Sequence, residues 1–128
     1  MMTLTMSDFK KTTLNQLISY DEAELLAQEC AFEVTISQNV FFSDSFIPIY
    51  ELSRYALSWL LHPQRVFAYV SNESSENPLL QFTKTDGGWR VFSVWQKFNH
   101  TSQFSTKEIR MFLLSIVNAT ISDYSFSE

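Results

Sequence analysis

The stretch from Asn77 to Phe98, NPLLQFTKTDGGWRVFSVWQKF, constrains this chain more than any other. It consists of two runs of alternating apolar and polar residues joined at Asp86-Gly87-Gly88. Alternation with period 2 sends successive side chains to opposite faces of a strand, and Asp-Gly between two such runs marks a tight antiparallel hairpin. Pro78 stands at the first residue of the earlier strand, a position where a missing N–H is tolerated. In the later strand Trp89, Val91, Ser93 and Trp95 share one face, and Arg90, Phe92, Val94, Gln96 and Phe98 share the other.

Elsewhere the two periods separate helix from strand. Residues 1–20 are polar and weakly patterned, although Leu14, Leu17 and Ile18 make a short helical face. The segment 21–30, DEAELLAQEC, has helical composition, yet its even positions lead into Cys30, Phe32, Val34 and Ile36 with polar residues between them. A strand over 28–37 follows, and the point at which helix gives way to strand stays open. Ser37-Gln38-Asn39 reads as a turn into a short strand at Val40-Phe41-Phe42. Ser43-Asp44-Ser45 supplies N-cap residue types for a helix with Pro48 in its first turn. Ile49, Leu52, Ala56, Trp59 and Leu60 recur at helical spacing, and Pro63 ends that helix near His62.

RVFAYVS, residues 65–71, is apolar on both faces and reads as a central strand. In the last helix Ser105 and Glu108 form an S-x-x-E capping box, and Ile109, Phe112, Leu113, Ile116 and Val117 its apolar stripe. The tail from residue 120 to 128 reads as frayed. The expectation is therefore one α+β domain over 1–128, in the order (α)ββαβββα. About five antiparallel strands would form a sheet carrying two amphipathic helices.

Composition narrows the function classes. With nine Lys+Arg against fourteen Asp+Glu, the formal charge is −5, and phosphate backbones repel such a surface. No apolar run reaches membrane-spanning length, and the start lacks a secretory signal pattern, so a cytoplasmic protein is expected. Cys30 is the lone cysteine, and His62 and His100 belong to no metal-ligand spacing, so no cofactor or metal is implied. No nucleophile elbow, Walker loop or dinucleotide fingerprint occurs. A compact acidic domain with no recognisable reaction centre is expected to bind rather than to transform.

Phe46-Ile47-Pro48-Ile49-Tyr50-Glu51-Leu52, Asn77-Pro78-Leu79-Leu80 and Trp89 to Gln96 resemble a family of small bacterial proteins of unassigned function. Size, acidity and element order over residues 28–118 are also similar to immunity proteins of contact-dependent inhibition and other polymorphic toxin systems. That resemblance implies a protein that neutralises a cognate toxin domain, such as a basic nuclease, by occluding it without making or breaking a bond. Asp44, Glu51, Glu73, Glu76 and Asp86 are the candidate acidic contacts, because opposite fields speed association. Trp89 and Trp95 are candidate aromatic anchors on a sheet face. The alternative is a small-ligand-binding or enzymatic α+β domain with a pocket between sheet and helices.

Overall fold

The computed structural model of the protein describes residues 1–127. Its elements, in chain order, are β1 (Met2–Met6), α1 (Leu14–Ser19), α2 (Glu22–Leu25), β2 (Glu29–Ile36) and β3 (Asn39–Pro48), then α3 (Ile49–Leu61), β4 (Val66–Tyr69), β5 (Leu80–Thr85), β6 (Gly88–Phe92) and α4 (Thr106–Thr120). The class is α+β. The strands, however, form two three-stranded antiparallel sheets, β1-β2-β3 and β4-β5-β6, in place of one sheet of five.

The division has local causes. The hairpin β2–β3 turns at Ser37 and Gln38, both at positive φ (52° and 71°), the backbone hand that matches strand twist in a two-residue turn. β3 is far longer than Val40-Phe41-Phe42. Irregular register between Val34 and Thr35 lets Phe41 and Phe42 both be buried, and the strand then runs through Ser43, Asp44 and Ser45 to Pro48. Those three polar residues are thus in a strand, and α3 starts without a side-chain cap. β1 was not legible. Its pattern of Met and Thr is a weak alternation, completed only by pairing with β2, where Thr3 faces Thr35 and Thr5 faces Glu33.

The segment after β1 is more ordered than its composition implied. Thr13 with Gln16, and Asp21 with Glu24, form reciprocal capping boxes at the starts of α1 and α2. Helix passes to strand between Leu25 and Glu29. β4 is an edge strand and not a central one, because β5 pairs with both β4 and β6. β6 stops at Phe92, after which the chain turns and runs as an irregular linker to Ser105. The tail is tied down rather than frayed: Ile121 bridges Thr12, and Asn118 bonds both backbone groups of Phe126. Glu128, the last residue of the expected frayed tail, lies outside the described residues.

One hydrophobic cluster joins both sheets. α3 touches β2, β3 and β4, α4 touches β1 and β6, and the two helices pack on each other. β2 sends Cys30, Phe32, Val34 and Ile36 inward, as its alternation requires. Phe82 meets Phe67 from β4 and Phe112 from α4. The hairpin docks on the residue before α4's cap through paired backbone bonds between Trp89 and Phe104. Gly88 makes that approach feasible. Its φ is +139°, and a Cβ there would lie 2.8 Å from the Phe104 carbonyl oxygen.

Candidate functional site

The candidate residues separate into a buried pair, an isolated one and a cluster. Glu51, in the first turn of α3, is 2% exposed and cannot meet a partner. Its carboxylate accepts the Tyr69 hydroxyl at 2.6 Å and the Asn72 backbone N–H at 3.1 Å. The helical phase that points Leu52 and Ala56 into the core also carries Glu51 inward, and a first-turn position suits a carboxylate electrostatically. Burial pushes the Tyr69 phenol pKa up, and its hydrogen bond to Glu51 pushes it further.

Trp89 is also internal, at 4% exposure. It meets Trp59 edge-on, at 5.8 Å between ring centroids, and donates its indole N–H to the Thr106 hydroxyl. It is a core residue rather than an anchor on an open sheet face. Asp86 is exposed at the hairpin tip. Glu73 and Glu76 lie beyond the other end of β5, so its five residue steps, about 17 Å, separate them from Asp86. The five acids do not make one patch.

The remaining candidates converge. The loop after β4 is ordered by Asn77, whose side chain accepts from the Ser71 N–H at 2.9 Å and donates to the Ser74 carbonyl at 2.9 Å. Ser74 in turn donates to the Glu76 carbonyl, and Ser71 accepts the Glu73 N–H. Asn72, bonded to the buried Glu51, anchors this loop to α3. Glu73 thereby faces Glu29 at the start of β2. Burial raises the Glu73 carboxyl pKa first, and the charge of Glu29, a hydrogen bond with it and the charge of Glu51 raise it further.

Trp95 closes the arrangement. The turn after β6 is held by Gln96, which accepts the Ser93 N–H, and by the Ser93 hydroxyl, which accepts the Trp95 N–H. The indole ring stacks on Phe42 and donates its N–H to the Glu76 carboxylate, while 38% of the residue stays exposed. Asp44 turns its carboxylate back to accept the Phe46 N–H at 2.9 Å, and Phe46 projects with 67% exposure. Glu29, Asp44, Phe46, Glu73 and Trp95 line a notch of about 160 Å³. Glu29 and Phe46 were not among the candidates. The odd-position polarity of β2 marks Glu29 as outward, whereas Phe46 reads in the sequence as the start of a helix and stands instead in β3.

Burial pushes the Cys30 thiol up to about 11, the opposite of an activated thiolate. His100 is surrounded by Phe41, Phe98 and Phe104, and both its ring nitrogens are buried without a hydrogen-bond partner. Among the described residues no group of three His, Cys, Asp or Glu side chains is arranged to hold a metal ion, and no helix is long and apolar enough to cross a membrane.

No curated protein and no solved structure matches the chain. One family model, described as Domain of unknown function (DUF7878), matches residues 4–118. The matched range runs from β1 to the last turns of α4 and includes every residue of the notch, and the chain belongs to the DUF7878 family.

Proposed function

We propose that this chain is a protein-binding domain of the immunity type, which occludes a basic toxin domain in the cytoplasm. The observation that carries this reading is the convergence of Asp44, Glu73, Glu76 and Trp95 with Glu29 and Phe46. Carboxylates ring two large exposed aromatics, the arrangement expected of an interface with anchors inside and charges around them. The loop is pre-ordered by its own hydrogen bonds, so little ordering entropy opposes docking.

The alternative, a small-ligand or enzymatic domain, would draw on a groove of about 470 Å³ between β1 and α4. It is lined mainly by Met1, Met2, Leu4, Met111 and Phe112. Thr3, Lys107, Glu108 and Ser115 also line it, but the Glu108 carboxylate is already engaged by the Ser105 N–H at the start of α4, so the binding reading, which draws on the acid-and-aromatic cluster, is preferred.

The test is co-expression with the product of the adjoining reading frame in a heterologous bacterial host. The expected result is that the neighbour alone arrests growth and that the wild-type chain restores it. The triple variant Glu73→Lys/Glu76→Lys/Trp95→Ala, checked for folding by circular dichroism, should fail to restore it. A harmless neighbour, or a toxic one that the wild-type chain leaves toxic, refutes the reading.

A further inference from the structure

The first sheet buries one face and leaves the other to solvent. Phe32, Val34 and Ile36 of β2 point into the core, so Ala31, Glu33 and Thr35 point away from it. Register extends that outer face across all three strands, with Thr5 of β1 beside Glu33 and Glu33 beside Ser43 of β3. The side chains are short, apart from Glu29 and Glu33. A shallow hollow of about 610 Å³ lies along Thr5, Ser7, Ala31, Glu33 and Ser43. It shares Asp44 and Phe46 with the notch, so hollow and notch are continuous.

The charge on this face is one-sided. No Lys or Arg occurs in β1, and none occurs anywhere between Lys11 and Arg54. That second span, which contains β2 and β3, carries seven of the fourteen acids. No strand of this sheet offers a cation to neutralise its own carboxylates. An exposed aromatic, Phe46, stands where hollow and notch meet.

We propose that the outer face of β1-β2-β3, with its Phe46–Trp95 flank, is a single docking surface for a protein segment bearing arginine and lysine. This rests on the binding reading above and adds to it the face used and the chemistry of the occupant. Short Thr, Ser and Ala side chains admit the partner's backbone. Its long cationic side chains reach Glu33, Asp44 and Glu29. The faces of Phe46 and Trp95 suit a planar guanidinium, which stacks on aromatic rings. Nucleic acid is excluded by the same field that favours a basic protein.

The probe is a deca-arginine peptide titrated into the full chain, with backbone amides followed by NMR. Shifts should concentrate in residues 3–7, 31–35 and 43–46 and at the Trp95 indole. Thr5→Lys/Glu33→Lys on the sheet face should weaken binding about tenfold, since Glu33→Lys removes an attraction and both substitutions add a repulsion. Raising salt should narrow the difference. Thr5→Lys alone, at an exposed position, should give a smaller weakening and serves if the double variant misfolds.

Shifts centred on Asp21 to Glu24, or spread evenly over all acids, overturn the proposal. So does unchanged binding by the folded sheet-face variants, whether or not Glu73→Lys/Glu76→Lys weakens it. Co-expression separates the two ideas. Growth rescue with a peptide map elsewhere rejects this surface and keeps the immunity reading. A map on the sheet face without rescue does the reverse.

Discussion

Replacing Glu51 by Leu should cost more stability than any substitution at the exposed acids, although it removes a buried charge. The replacement is apolar and close in size, so the loss comes from the two donors left behind. The Tyr69 hydroxyl, on a residue 1% exposed, loses its 2.6 Å acceptor. An orphaned buried donor of this kind costs about 1–3 kcal/mol. The Asn72 N–H, in a solvent-facing loop, can recover a water and adds about 0.5–1 kcal/mol. The expected total is about 1.5–4 kcal/mol, a large part of the roughly 5–15 kcal/mol that holds a domain together.

Tyr69→Phe alone strips the carboxylate of one partner and should cost about 1.5–3 kcal/mol. In the double variant Glu51→Leu/Tyr69→Phe neither group is left wanting the other. The double variant should therefore be more stable than the summed single losses predict, by about 1–2 kcal/mol. Urea denaturation of the four proteins is the assay, with midpoints compared at constant slope. Single losses that add to within about 0.5 kcal/mol would refute the reasoning, because additivity means that the two groups do not act as a pair.

Three further outcomes follow from single contacts. Ser105→Ala removes the acceptor for the Glu108 N–H at the start of α4 and should cost about 1 kcal/mol in urea denaturation. Trp59→Ala removes a residue 7% exposed that packs on Trp89, and should cost about 3–5 kcal/mol; a near-wild-type midpoint would mean that α3 presents a different face. Glu73→Gln concerns pH. The folded carboxyl has a pKa above its ordinary 4.5, so the folded chain holds a proton that the unfolded chain releases, and wild-type stability falls as pH rises through that folded value. Glu73→Gln should be the more stable protein at pH 7 and lose that advantage below the ordinary carboxylate range, as read from thermal midpoints across pH.

Local signals were legible wherever a segment's own chemistry determines its conformation. The capping box at Ser105, the apolar stripes of α3 and α4 and the hairpin around Asp86-Gly87 depend on neighbours within four residues, and the sequence shows those neighbours directly. The alternation of β2 likewise settles which of its side chains are buried, and with them the outward direction of Glu29 and Glu33. Pairing between distant segments is another matter. β1 is a strand because β2 offers it an edge, β4 lies at a margin because β5 has taken the centre, and the strands divide into two sheets because the β2–β3 hairpin and the β4–β6 hairpins close separately.

The site follows the same division. Composition by itself established an acidic chain with its carboxylates in turns and on strand faces. Which of them stand together was decided by the tertiary structure, since a carboxylate's neighbours depend on contacts tens of residues apart. Tyr69 and Asn72 hold Glu51 inside, Asp86 is carried to the far end of β5, and the Asn77-ordered loop brings Glu73 to Glu29. Trp89 and Trp95 look equivalent in an alternating strand. They part because β6 ends at Phe92, which leaves Trp89 under α3 and α4 while the Ser93–Gln96 turn lifts Trp95 onto Phe42 at the surface.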